Sequence, residues 1–202
     1  DSMSGISIIR LVCSAVAGVL LVSTPSHAAD YSGNGSWHLG AAYETATIDQ
    51  NLLDTGAWSS TYPRLTVGGT GPMNARFEIS WTRMRADREG ANIVGLDGDV
   101  WLPYALDGAP ASRLRPYLIL GVGYHRYYGE TSVLDEEGAD NGARSLNAGL
   151  AVVGNLTQTT ELVATFRYRY LTWDAPDDDL GESVSAANAT ITSVSFGIQQ
   201  LF

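Results

Sequence analysis

From residue 36 onward, large apolar side chains recur at every second position in eight short stretches. In the stretch 161–173, Leu162, Ala164, Phe166, Tyr168 and Tyr170 alternate with Val163, Thr165, Arg167 and Arg169. In 115–129, Leu118, Leu120, Val122 and Tyr124 alternate with Tyr117, Ile119, Gly121, Gly123 and His125. A period of two sends successive side chains to opposite faces of a strand. The same reading gives strands over 36–48, 62–70, 75–85, 93–104, 144–155 and 191–202, with 62–70 the weakest because of Pro63 and the Gly68-Gly69 pair. Glycine, proline and other turn residues punctuate the chain at the short intervals that an all-β protein requires.

The charges decide what the two faces look at. Glu44, Arg76, Glu78, Asp97, Asp99, Arg167 and Arg169 all fall on the face that is not apolar, among Gly, Ala, Ser and Thr. A soluble sandwich or a lipocalin-like carrier has the reverse sense, with a greasy interior and charges outside. No segment beyond the first thirty residues approaches the roughly twenty apolar residues of a helical span. In lipid, only helices and closed barrels satisfy every backbone group. The expected fold is therefore all-β: an eight-stranded, antiparallel, up-and-down transmembrane β-barrel, apolar outside and polar inside. Its lumen is narrow enough for side chains to fill, and Gly121, Gly123, Gly149 and Gly197 suit that crowding. Arg83 and Arg126 break the parity and face outward, at strand ends where a long side chain reaches the headgroups.

The two ends of the sequence point to the same compartment. Residues 1–29 carry one basic residue, Arg10, then an apolar run over 11–22 and a small-x-small site at Ser26 and Ala28, the pattern of a cleaved secretory leader. The barrel domain is then 30–202, without cysteine, since Cys13 lies in the leader. The alternation of 191–202 ends on Phe202 and resembles the terminal signal read by the barrel assembly machinery. Gln200 departs from it, because that place is usually aromatic or apolar. If strand one runs outward, the outer loops are 49–61, 86–92, 130–143 and 174–187, and the inner turns fall near 70–74, 105–114 and 154–160. Longer loops on one side than turns on the other is the asymmetry of outer-membrane barrels.

Three motifs carry a family resemblance. The run Arg115-Pro116-Tyr117-Leu118-Ile119-Leu120-Gly121-Val122-Gly123-Tyr124 resembles the Pro-Tyr…Gly-x-Gly-Tyr strand of the small OmpA/OmpX-like outer-membrane barrels. Phe166-Arg167-Tyr168-Arg169-Tyr170 is similar to their Tyr-Arg-Tyr penultimate strand, and Phe202 closes the series. The resemblance implies an eight-stranded barrel, usually non-catalytic, in the bacterial outer membrane. It names no ligand.

Charge and chemistry narrow the function. The net charge is −10, and all 12 basic residues are arginines. So acidic a chain is a poor nucleic-acid binder. The inward charges read most simply as ion pairs within the lumen; the alternative is a narrow gated ion channel in which one pair opens. Acids concentrate in the third loop (Glu130, Asp135, Glu136, Glu137, Asp140) and the fourth (Asp174, Asp177, Asp178, Asp179, Glu182). They read as solvated loops, with Asp177-Asp178-Asp179 as a weak divalent-cation candidate. A lipid A-modifying enzyme is a further alternative. Its only candidate base is His125, since His38 belongs to the opposite end, and the simpler role for His125 is a lumen hydrogen bond. The expectation is a monomeric structural or surface-interaction protein with no cofactor, whose partners are outer-membrane lipids, lipopolysaccharide and the assembly machinery.

Overall fold

The computed structural model describes residues 36–50, 57–85, 92–104, 114–128, 142–173 and 188–202. The expected leader and the acidic segments 130–140 and 174–182, with Asp177, Asp178 and Asp179, lie outside these residues. Eight strands follow one another: β1 (Trp37–Gln50), β2 (Trp58–Thr70), β3 (Arg76–Arg85), β4 (Asn92–Pro103), β5 (Leu114–Tyr128), β6 (Gly142–Asn155), β7 (Thr160–Trp173) and β8 (Asn188–Leu201). Each pairs antiparallel with its sequence neighbours, and β1 pairs with β8 to close the barrel. The expected all-β, eight-stranded antiparallel barrel is the observed fold.

β2 is longer than the expected 62–70, because Trp58 to Thr61 continue opposite Ile48 to Thr45 of β1. Pro63 is accommodated at an outward position opposite Tyr43. The β2–β3 ladder runs only from Arg64–Thr82 to Thr70–Arg76. Beyond it Ser60 holds the strands together: its Oγ accepts from Arg85 N (3.1 Å) and donates to Arg85 O (2.9 Å). Two turns at the other end are tight. Between β2 and β3, Pro72–Asn74 forms a single 3-10 turn with Met73 and Asn74 in the left-handed region (φ 60° and 59°). In the second, Leu156 N and Thr157 N both donate to Thr160 O (2.9 and 3.1 Å).

The outward face is apolar along its length. Trp37, Phe77, Ile79, Val122, Leu146 and Phe196 are each more than half exposed. A continuous apolar wall of this kind is foreign to soluble monomers and is the surface that hydrocarbon covers. Following paired residues around the barrel from Leu39 leads through Val67, Ile79, Gly98, Val122, Leu146, Tyr170 and Thr190 to Asp49. The path returns to β1 ten positions nearer the loop end. With standard strand rise and spacing, this shear corresponds to a tilt of about 40°.

In the terminal segment the alternation holds except at one position. Phe202 is exposed at the turn end, with its N–H donating to Trp37 O (2.9 Å). Gln200 has outward parity yet is buried, because its side chain folds onto the β7 rim, where Thr160 Oγ1 donates to its Oε1 (3.0 Å). A polar residue is tolerated at this place by that partner.

Candidate functional site: the barrel lumen

Glu44, Arg76, Glu78, Asp97, Asp99, Arg167 and Arg169 are all buried inside the barrel. Each comes from the inward parity of its stretch of wall, and closure brings them together. Arg169 lies between two acids: its Nη1 donates to Glu44 Oε1 (2.7 Å) and to Ser193 Oγ (3.0 Å), and its Nε donates to Asp97 Oδ2 (3.1 Å). Arg167 donates to Asp99 through Nη1 and to Glu78 Oε1 through Nη2 (3.3 Å). Arg76 is held apart from this group, gripping Glu161 through Nη1 and Nη2 (2.8 and 3.0 Å) and donating to Gln199 (3.1 Å).

Three charged members of these networks were not among the seven. Arg64 donates to Glu78 Oε1 (2.5 Å), with Asp99 Oδ2 at 3.7 Å and Glu44 Oε2 at 3.9 Å, so it binds the centre together. Its strand was the weakest in sequence, and the parity signal there was diluted by Pro63 and two glycines. Glu161 and Arg115 pair with each other at the turn-end rim, where each is the first residue of its sequence stretch and parity carries little weight. With these included, Arg64, Arg76, Arg115, Arg167 and Arg169 face Glu44, Glu78, Asp97, Asp99 and Glu161. Five positive charges meet five negative ones, which removes the large cost of burying unpaired ions.

The lumen is not polar throughout, as the sequence reading had it. At the loop end, Ala46, Ile48, Tyr62, Met84, Ile93, Tyr127, Ala143, Leu171, Trp173, Ala189 and Ile191 form one buried apolar cluster. Nearer the turns, Trp101, Tyr117, Ile119, Ala151, Val153 and Val163 form another. Ions and rings meet at their borders: Arg76 lies 5.2 Å from the Tyr117 ring centroid, Arg167 lies 5.7 Å from that of Trp101, and Tyr62 donates to Glu44 (2.8 Å). The apolar cluster at the loop end lies across the lumen above the ions. Between Ala42, Arg64, Glu78, Trp101 and Thr165 a void of about 10 Å³ remains, at most enough for one water.

The glycines fit this density. A Cβ on Gly121 would collide with Asp99 Oδ1, and one on Gly123 with Asp97 Oδ1. Close approach of carboxylates to the β5 backbone requires both glycines.

His125 is buried, with Nε2 3.1 Å from Asp97 Oδ1 and 3.1 Å from Ser145 Oγ. Acid and hydroxyl thus share one ring nitrogen, whereas a nucleophile–base–acid relay needs them on opposite nitrogens. Asp97, paired with Arg169, only accepts, so the Nε2 proton points to it. Ser145 Oγ donates to Asn147 Oδ1 (3.0 Å), and Asn147 Nδ2 donates to Asp97 Oδ1 (2.9 Å). These bonds gather His125, Ser145 and Asn147 around Asp97, while the buried His125 Nδ1 has no hydrogen-bond partner among the described residues. His38 is buried at the other end, 3.7 Å from Glu78 Oε2. Among the described residues no group of three His, Cys, Asp or Glu side chains converges as metal ligands would.

No protein-family model matches the chain, and no curated protein matches it in sequence. Solved structures do match in shape. The crystal structure of Neisserial surface protein A superposes with a TM-score of 0.60 at 19% identity, covering 84% of this chain and 99% of that one. The outer membrane protein AlkL in lipid bilayers gives a TM-score of 0.54 at 13% identity, covering 89% and 95%. Ail, the attachment invasion locus protein of Yersinia pestis, gives 0.51 at 12% identity, covering 84% and 99%. The resemblance to the OmpA/OmpX-like proteins therefore holds at the level of architecture, and the chain has the fold of a small eight-stranded outer-membrane β-barrel.

Proposed function

We propose that this protein resides in the bacterial outer membrane as a monomeric, non-catalytic barrel, with its loop end at the cell surface and its turn end in the periplasm. Residues 1–29 direct export, and the β8 strand ending on Phe202 is what the assembly machinery reads. The role is structural display: a rigid, lipid-embedded wall carries the loops, and the acidic segments around Asp177, Asp178 and Asp179 are the parts that meet cations or partners. The apolar wall supports residence in lipid.

The observation that carries the passive reading is the stack inside the lumen. An apolar layer rich in Tyr62, Met84, Tyr127, Leu171 and Trp173 lies over a charge-balanced ion network. Such a constriction excludes ions by dewetting, and side chains fill an eight-stranded bore. The His125 geometry supports the non-catalytic reading. The test is twofold. The protein refolded in detergent should run differently in SDS before and after boiling, and in planar bilayers it should show no steady conductance. A detergent-free soluble monomer would overturn the membrane reading. Large, stable openings would put the ion channel in its place.

A further inference from the structure

The outer wall is not smooth. At the turn end of β1 to β4 a groove of about 580 Å³ is cut into it. Two rows of paired residues shape the groove. In the first row Gly69 stands between Trp37 and Phe77. In the second, two residues further from the turns along β3 and β4, Gly98 stands between Ile79 and Val122. Trp37, Phe77, Ile79 and Val122 are each more than half exposed, so they rise as walls and the glycines form the floor. Walls two strands apart are separated by about 10 Å between backbones. Once their side chains are in place, the slot between them has the width of a single hydrocarbon chain.

The barrel itself does not require these glycines. A Cβ on Gly98 would lie 3.9 Å from Val122 O, and one on Gly69 would lie 3.5 Å from Ser36 O. Both are ordinary contacts, and neither glycine has a positive φ. At Gly40, Gly68, Gly95 and Gly149, by contrast, a Cβ would collide with the surrounding structure. A glycine inside a strand weakens it, and often marks a place where something else approaches the backbone closely. At Gly69 and Gly98 nothing inside the barrel makes that approach. Any larger residue there would fill the groove.

The groove is also polar at one end only. Ser36 and Thr70 border it at the turn end, joined by a bond from Thr70 N to Ser36 O (2.8 Å). Beyond them Val67, Ile79 and Val100 line it, while the neighbouring Glu78 and Asp99 turn their carboxylates into the lumen. The groove is therefore continuous with the apolar wall, and its polar end lies at the rim where headgroups begin.

We propose that this groove holds one acyl chain of a glycerophospholipid from the leaflet at the turn end, with the ester region beside Ser36 and Thr70 and the chain running over Gly69 and Gly98. This rests on the proposed residence in lipid. Most lipid around such a wall is exchangeable, but a chain packed on a glycine floor between tall side chains gains contacts that a flat wall does not offer. Recognition is of the chain and not of the headgroup.

The test uses the full protein folded in non-ionic detergent micelles, with retained phospholipid counted by native mass spectrometry. The unmodified protein should retain one dipalmitoyl phosphatidylethanolamine, retain the phosphatidylglycerol of the same chains equally well, and hold the dioctanoyl form about tenfold more weakly. These comparisons do not depend on any variant folding. Gly69→Val/Gly98→Val should weaken retention about tenfold, while Ala148→Val, on the outer face of β6, should leave it unchanged. Equal retention in the two variants, a dependence on headgroup in place of chain length, or a preference for lipid A would each overturn the proposal. So would a dimer lost in the glycine double variant, which would put a second copy in the groove. Residence in lipid is read separately by the boiling-dependent gel shift. A heat-modifiable protein that retains no phospholipid would remove the groove proposal alone, whereas a detergent-free soluble monomer would remove both.

Discussion

Arg169→Met tests whether the lumen network is dry. The guanidinium makes three charge-assisted hydrogen bonds, to Glu44, Asp97 and Ser193. Methionine fills much of the volume but leaves two carboxylates facing a missing cation. They are not equally stranded. Asp97 keeps His125 and Asn147 as partners, whereas Glu44 keeps the Tyr62 hydroxyl and an arginine at 3.9 Å. Removing one member of a buried ion pair costs about 3–5 kcal/mol, mostly from the charge left behind. If Glu44 is the worse stranded, Glu44→Gln in the same chain should recover about 1.5–3 kcal/mol as a coupling energy. Asp97→Asn should recover less, because its remaining donors still serve the carboxylate. The assay is urea unfolding of the barrel in lipid vesicles, followed by tryptophan fluorescence and by the boiling-dependent gel shift. A cost below about 1 kcal/mol for Arg169→Met, typical of a solvent-screened pair, would mean that water fills the lumen and would refute both the dry network and the apolar seal above it.

Other perturbations probe the wall and the turns. On β7, Phe166→Arg should cost about 2–4 kcal/mol of folding in lipid, and Tyr168→Arg clearly less, since Tyr168 lies nearer the loop-end interface and the cost falls towards the interfaces; equal costs in vesicle refolding would mean the strand is misplaced in the bilayer. Gly123→Val should fail to fold or lose more than about 3 kcal/mol through overpacking against Asp97 and Ser145. Gly98→Ala, on the outer face, where the nearest atom to a new Cβ is Val122 O at 3.9 Å, should leave the urea midpoint nearly unchanged. Met73→Gly should raise stability by up to about 1 kcal/mol, because it relieves a left-handed backbone at an exposed side chain; a lowered midpoint would mean that the Met73 side chain contributes something the turn geometry does not show.

Alternation alone determined which side of every strand but β2 faces lipid. Trp37, Phe77, Leu118, Phe166 and Phe196 could be assigned outward, and Glu44, Glu78, Asp97 and Arg167 inward, because the period of two is a local property of the extended backbone. Strand number and antiparallel order followed from the same pattern and the short turns. Which arginine meets which acid depended on register, and register is a relation between strands far apart in the chain. A shift by one pair would exchange the partners of Arg169 without changing a residue. Arg64 was hidden because its segment lacked a clean alternation, although pairing with β1 imposes one. The apolar seal escaped the sequence reading for another reason: inward Ile48, Met84, Ile93 and Trp173 each sit at the loop end of a different strand, where a single hydrophobic residue looks like the end of a pattern. Only the closed, tilted barrel brings those ends to one level.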